Sequence, residues 1–168
     1  MSNETLGFIG LGVMGEPMCH NLHKKSGRKV MAYDIDPAPL ERAREANMGV
    51  ANSPQDIAKN CDIIFLSLPS GVQLEQVCHD LNPYMRAGQT IVDTTTAPVA
   101  LTKSLAAEFK AKGVDYADAP IETIDLSFAF SRDILQGHTR ATAVRAALLC
   151  LVAASQVAED ASEHQPQL

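Results

Sequence analysis

The chain has 168 residues, of which 46% are hydrophobic and 20% charged, and its formal net charge is −6. This length and composition predict one globular domain with a core of its own, and they exclude global disorder. The acidic balance argues against a nucleic-acid-binding surface, so we expect no nucleic-acid partner.

Short apolar runs alternate with helical patterns along the first two thirds of the chain. In chain order we predict strand 6–11, helix 14–25, strand 29–34, helix 37–47, helix 53–60, strand 62–68, helix 71–81, strand 90–93, helix 98–112 and strand 114–118. Gly27, Gly49 and Gly113 are expected to end helices. This alternation predicts an α/β fold over residues 1–120, with a doubly wound parallel sheet covered by helices on both faces.

The turn between the first strand and the first helix follows the pattern G-x-G-x-x-G. Its residues are Gly10, Leu11, Gly12, Val13, Met14 and Gly15. The first glycine permits a tight turn, the second lets the backbone approach a pyrophosphate, and the third lets helix and strand pack closely. N–H groups at the helix start can then bind phosphates. The pattern predicts a Rossmann-type site for NAD or NADP, and a turn without a ligand is the alternative.

An acidic residue about 20 positions further on completes such a site by binding the adenosine ribose. Asp34 stands 19 residues after Gly15, at the end of the second predicted strand. Its carboxylate would accept a hydrogen bond from the ribose 2′-hydroxyl and repel a 2′-phosphate, which favours NAD. Ile35 and Asp36 follow, so no adjacent arginine would welcome that phosphate. A coincidental aspartate is the alternative.

Residues 7–18, which read GFIGLGVMGEPM, closely resemble the opening signature of the β-hydroxyacid dehydrogenases, and Asn21-Leu22 extends the match. This family includes 3-hydroxyisobutyrate dehydrogenase and is remotely related to 6-phosphogluconate dehydrogenase. Further matches follow in order at residues 67–69 (SLP), 93–96 (DTTT) and 118–120 (DAP). The resemblance covers residues 6–121 and implies hydride transfer between NAD(P) and a small hydroxy acid or semialdehyde.

The resemblance also assigns roles to two of these later segments. Leu68 and Pro69 would border the cofactor, and Thr96 would contact its nicotinamide half. Without the resemblance, Leu68-Pro69 reads equally well as an ordinary strand exit, because proline cannot continue a ladder. Residues 94–96 could likewise be a β-prone strand end that caps the next helix.

The family pattern breaks after Pro120. The chain continues with residues 121–124 (IETI), where the family has Val-Ser-Gly-Gly, and no lysine follows Lys112. The family's general acid/base, the lysine of an Asn-x-x-Lys motif, therefore has no counterpart, and the catalytic residues are unknown. His138 and Tyr116 could carry a proton, but a single histidine or tyrosine is more often structural.

Residues 121–168 are predicted to form an atypical appendage. Residues 124–131 alternate apolar and polar side chains as an edge strand does, residues 139–158 form an Ala-rich helix, and residues 159–168 are polar. One hypothesis is a truncated or frame-shifted product, which we favour. The other is a specialised short protein that forms a homodimer through the Ala-rich helix. For function, we expect the NAD(P)-binding domain of a 3-hydroxyisobutyrate dehydrogenase-like oxidoreductase; a catalytically silent dinucleotide-binding module is the alternative.

No targeting or metal-binding pattern stands out elsewhere. The start of the chain lacks a signal-peptide pattern, and the longest apolar run, residues 146–154, is too short to cross a membrane. We therefore expect a cytoplasmic protein without a membrane partner. A zinc site from Cys78, His79, His20 and His23 is conceivable, but without repeated short spacings free thiols are the better reading and no metal is predicted.

Overall fold

The computed structural model describes residues 4–119, in which six strands alternate with five α-helices and one 3₁₀ turn. The strands are β1 Leu6–Ile9, β2 Val30–Tyr33, β3 Gly49–Val50, β4 Ile63–Leu66, β5 Thr90–Asp93 and β6 Asp115–Asp118. The helices are α1 Gly15–Ser26, α2 Pro37–Glu45, α3 Pro54–Asn60, α4 Gly71–Leu81 and α5 Val99–Ala111, and the 3₁₀ turn is Asn82–Tyr84.

The six strands form one parallel sheet in the order β3-β2-β1-β4-β5-β6. Leu6 of β1 lies opposite Val30 of β2 on one side and opposite Ile63 of β4 on the other. The sheet therefore grows outward from β1 in both directions, which confirms the doubly wound α/β prediction. In such a sheet, ligands bind where the strand order reverses, at the carboxyl ends of the strands.

The central strands are apolar on both faces because helices cover both sides of the sheet. Phe8 and Phe65 point to one face, where their rings stack with centroids 5.8 Å apart. Ile9, Ile64 and Leu66 belong to a second buried cluster on the other face. This alternation along each strand follows from the two-residue period of β structure.

Local signals placed most of the helix ends correctly. Ser53 caps α3, and its side chain accepts a hydrogen bond from the Asp56 N–H. Gly27 adopts a left-handed conformation (φ 64°) after α1, as a C-cap glycine does. The prediction for Gly49 was wrong. The left-handed residue after α2 is Asn47 (φ 60°), a residue type that tolerates this region, and Gly49 instead begins β3.

Several predicted bounds also need correction: the strand 62–68 ends at Leu66, and the helix 37–47 ends at Glu45. The first strand ends at Ile9 instead of Leu11, because the tight turn begins at Gly10 (φ 95°). Met14, the first residue of the predicted helix 14–25, precedes α1 as its N-cap residue and is 39% exposed. The interpretations of residues 120–168, including the edge strand, the Ala-rich helix, its homodimer and His138, lie outside the described residues.

Residues 4–119 contain three of the four cysteines and all the helices that the structure describes. Cys19, Cys61 and Cys78 are free and buried, and burial raises the pKa of the Cys19 and Cys61 thiols to about 12. In this part of the chain no three His, Cys, Asp or Glu residues are grouped so that they could hold a metal ion. None of its helices has the length and apolarity that a membrane span requires.

Candidate dinucleotide-binding site

The predicted site residues lie at one edge of the sheet, where the carboxyl ends of parallel strands meet. The glycine turn, residues 10–15, follows β1, and Asp34 follows β2. Residues 67–69 follow β4, the neighbour of β1 on its other side, and residues 94–96 follow β5. Segments that are far apart in sequence are thus brought together at the switch point of the strand order.

The glycine turn packs directly against the exit of β4. A Cβ added at Gly10 would lie 2.1 Å from the Ser67 carbonyl oxygen, and one at Gly15 would lie 2.0 Å from the Gly10 carbonyl oxygen. Neither position therefore accepts a side chain without movement of the backbone. A Cβ at Gly12, in contrast, would meet no atom of the described residues within 4 Å. The backbone at Gly12 faces open space, which leaves room for a pyrophosphate to approach.

The start of α1 is suited to an anion. Met14, its N-cap residue, makes no side-chain capping hydrogen bond. The first N–H groups of a helix have no acceptors within the helix, and the helix dipole favours negative charge near them. The first turn contains one acid, Glu16, whose carboxylate is bound by two guanidinium nitrogens of Arg42 from α2. This hydrogen-bonded pairing lowers the pKa of Glu16 and offsets its charge beside the anion site.

Asp34 ties the glycine turn to the exit of β2, a role that its sequence spacing did not reveal. One carboxylate oxygen accepts a short hydrogen bond from the Leu11 N–H, inside the turn. The other accepts a hydrogen bond of 2.8 Å from the Asp36 N–H. Each carboxylate oxygen has two lone pairs, so both retain capacity for a ribose hydroxyl. Val13, within the glycine turn, and Ile35, which follows Asp34 in the sequence, are 93% and 92% exposed and offer apolar surface.

The exits of β4 and β5 are joined through threonine side chains. The Leu68 N–H donates a hydrogen bond of 3.1 Å to Thr95 Oγ1, and Thr94 Oγ1 donates one of 2.8 Å to the Leu66 carbonyl. The Leu68 side chain packs against a buried apolar cluster, whereas Pro69 and Thr96 are exposed. Pro69 and Thr96 thus reach the open edge of the sheet, and Leu68 contributes chiefly its backbone and packing.

A buried polar pair beneath these exits was not anticipated from the sequence. Asp93 is fully buried, and its Oδ2 accepts a hydrogen bond of 2.6 Å from the Tyr116 hydroxyl. Burial raises the pKa of both groups. Tyr116 is 3% exposed, so it lies in the core and not at the open edge that a proton carrier would occupy. The available signal was an aspartate that ends an apolar strand, but its partner lies 23 residues away.

Comparisons with known proteins agree with this geometry. Residues 5–123 match the family described as the NAD binding domain of 6-phosphogluconate dehydrogenase. The chain belongs to this family. It therefore represents an NAD(P)-binding domain of the group that includes the β-hydroxyacid dehydrogenases, as its sequence signatures predicted.

Similar proteins carry dehydrogenase names. The chain is 36% identical over 123 residues to mitochondrial 3-hydroxyisobutyrate dehydrogenase of Rattus norvegicus, covering 71% of this chain and 36% of that protein. It is 36% identical over 119 residues to 2-(hydroxymethyl)glutarate dehydrogenase of Eubacterium barkeri, covering 69% of this chain and 39% of that one. The chain thus spans little more than a third of the length of these curated relatives.

Solved structures support the same relationship. The 3-hydroxyisobutyrate dehydrogenase of Mycobacterium tuberculosis, whose structure was solved with L-serine, superimposes with a TM-score of 0.66 at 27% identity. The match covers 71% of this chain and 40% of that one. The shared part accordingly corresponds to the dinucleotide-binding domain and not to the whole of the larger protein.

Proposed function

We propose that this chain binds NAD along the edge formed by residues 10–15, Asp34, Leu68-Pro69 and Thr96. The observation that carries the proposal is the glycine turn at the switch point, with open space at Gly12 and with Asp34 bound to the Leu11 N–H. The turn would hold the pyrophosphate through N–H groups at the start of α1. Leu68, Pro69 and Thr96 would lie along the nicotinamide half, on the β4 and β5 side.

Asp34 is the basis for proposing NAD in preference to NADP. A carboxylate at the end of β2 accepts from the ribose 2′-hydroxyl and repels a 2′-phosphate. Ile35 and Asp36, which follow it, supply no compensating cation. Bound NAD would supply the hydride chemistry, while the residues of this chain bind and orient the cofactor.

The chemistry we propose for the larger protein is that of a 3-hydroxyisobutyrate dehydrogenase-like oxidoreductase acting on a small hydroxy acid or semialdehyde. The identity to rat 3-hydroxyisobutyrate dehydrogenase supports this substrate class. A second candidate is a dinucleotide-binding module without turnover. It is favoured by one observation: residues 121–124 read IETI, with an acidic side chain and no glycine, where the family resemblance calls for Val-Ser-Gly-Gly.

Calorimetric titration of the full chain with NADH and NADPH tests the binding proposal. We expect binding of both, with the lower Kd for NADH, and no binding of either would overturn the proposal.

Gly12→Ala is the decisive variant, because its methyl group meets no protein atom among residues 4–119 yet enters the space assigned to the pyrophosphate. Loss of one or two charge-assisted hydrogen bonds would weaken NADH binding by about 10- to 100-fold with little change in stability.

Gly49→Ala is the matched control for that variant. Gly49 is exposed and lies in β3, away from the glycine turn, and an added Cβ would be 3.4 Å from its nearest neighbour, the Val30 carbonyl oxygen. We expect Gly49→Ala to keep the NADH affinity of the parent chain.

An activity assay of the parent chain with 3-hydroxyisobutyrate, glycerate and succinic semialdehyde then separates the two candidate functions. Binding of NADH without turnover supports the silent module.

A further inference from the structure

Asp93 stands out because a carboxylate is fully enclosed at the end of a central strand. Burying an ionisable group costs free energy unless hydrogen bonds compensate, and Asp93 has several. Its Oδ2 accepts from the Tyr116 hydroxyl at 2.6 Å, and its Oδ1 accepts from the Thr95 N–H at 2.9 Å. The Thr95 hydroxyl also hydrogen-bonds to the Asp93 side chain.

Through Thr95 this carboxylate is connected by hydrogen bonds to the exit of the neighbouring strand β4. The hydroxyl that binds Asp93 also accepts the Leu68 N–H at 3.1 Å. A continuous path of hydrogen bonds therefore runs from Tyr116 on β6, through Asp93 at the end of β5 and Thr95 just after it, to the backbone of Leu68 after β4. Fully satisfied polar networks of this kind rigidify what they connect.

The connected segments all lie on one side of β1. Asp34 follows β2, on the side of the sheet assigned to the adenosine ribose, whereas Leu68 and Thr95 follow β4 and β5 on the other side. A dinucleotide lying across the switch point places its two halves on these two sides. The network therefore supports the segments that would meet the nicotinamide half and has no hydrogen bond to Asp34 or to the glycine turn among residues 4–119.

We propose that Asp93, acting through Thr95 and held by Tyr116, is a positioning residue that fixes the Leu68-Pro69 and Thr96 segments against the nicotinamide half of the cofactor. This inference rests on the proposed NAD site. It assigns a cofactor-directed task to side chains that do not themselves reach the cofactor. A network that served stability alone would have no reason to favour one half of the ligand.

Thr95→Val tests the proposal, because valine keeps the shape of threonine but loses both hydroxyl hydrogen bonds. Kd is measured for NADH and for ADP-ribose, which retains the adenosine and pyrophosphate but lacks nicotinamide. Loss of one positioning hydrogen bond predicts about fivefold weaker NADH binding, with ADP-ribose binding unchanged. Thr95→Ser retains the hydroxyl and should restore the NADH affinity of the parent chain.

Tyr116→Phe provides a second route if Thr95→Val does not fold. It removes one donor to Asp93 without touching the edge of the sheet, and it should again weaken NADH more than ADP-ribose. Equal weakening of both ligands, or no weakening of either by a folded variant, would overturn the positioning role. If the parent chain binds neither ligand, the proposed NAD site itself is wrong, so the two failures are distinguishable.

Discussion

At the residue scale, Asp34 combines two tasks that substitution can separate. Its carboxylate accepts the Leu11 N–H, which orders the glycine turn, and it carries the charge expected to repel a 2′-phosphate. Asn keeps an acceptor oxygen for the turn but removes the charge. We therefore expect Asp34→Asn to narrow the NADH/NADPH affinity ratio by about tenfold. The reason is that a hydrogen bond to a charged group contributes roughly 1 kcal/mol or more of binding free energy beyond that of a neutral one.

Asp34→Ala removes both tasks and should weaken NADH binding further than Asp34→Asn does. Calorimetric Kd values for both cofactors with both variants are the measurement. An NADH/NADPH ratio that stays at the parent value in Asp34→Asn would remove Asp34 from its assigned role. Equal NADH affinity of the two variants would instead show that the hydrogen bond to Leu11 contributes nothing to the site.

Arg42 of α2 is a cation with an electrostatic link to this region, and its guanidinium is engaged by Glu16. The two side chains form a bidentate ion pair, and Asp36, two residues after Asp34, also acts electrostatically on Arg42. Glu16→Gln would remove the charge that engages Arg42 and leave the guanidinium available near the ribose end. We expect NADPH affinity to rise about two- to fivefold, the scale of an exposed ion pair, while NADH affinity changes less.

Glu41→Gln serves as the matched control for that change. Glu41 pairs with Arg44 on the exposed surface of α2. Glu41→Gln therefore removes the same charge but leaves the ion pair between Arg42 and Glu16 intact. Parallel titrations with NADPH should show the gain in Glu16→Gln alone. The same gain in both variants would point to net charge, and no gain in either would exclude Arg42 as a partner of the 2′-phosphate.

At the scale of elements, the glycine turn allows the start of α1 to pack closely against the end of β1. Gly15→Ala would bring a Cβ to 2.0 Å from the Gly10 carbonyl oxygen, so α1 must move away from β1. Overpacking of this kind predicts a loss of about 1–3 kcal/mol in the free energy of unfolding. Urea denaturation of Gly15→Ala and of Gly12→Ala, whose added Cβ has no such contact, measures this loss. Equal free energies of unfolding for the two variants would contradict the prediction.

Local chemistry made most elements predictable, and long-range contacts explain the rest. Ser53-Pro54 marks the start of α3 because capping and a fixed proline φ act within one turn of chain. The two residues of β3 are too few to display a period, and they are ordered by pairing with Met31 and Ala32. The hydrogen bond between Tyr116 and Asp93 depends on the register of β5 with β6, which no local pattern encodes.

At the scale of the whole molecule, the sheet topology explains why the site could be predicted in outline but not in detail. Alternating strands and helices predict that the carboxyl ends of parallel strands meet at one edge, and the glycine pattern locates the switch point. The contacts that order this edge, from Asp34 to Leu11 and from Thr95 to Leu68, span 23 and 27 residues. They follow from the assembled sheet, so residue types and spacing did not disclose them.

Because the proposed site draws on segments from both sides of β1, cofactor binding should stabilise the whole domain and not one loop. A ligand that binds only the folded state at 100 times its Kd adds about 2.7 kcal/mol to the free energy of unfolding. For a domain of this size each kcal/mol raises Tm by about 2–4 °C, which predicts a rise of about 5–10 °C with NADH. Thermal unfolding followed by circular dichroism measures it. Gly12→Ala, at the same NADH concentration, should show about half of the rise or less, because a Kd raised 10- to 100-fold leaves NADH at only about 1–10 times the Kd of the variant. An unchanged Tm of the parent chain at saturating NADH would contradict binding at this edge.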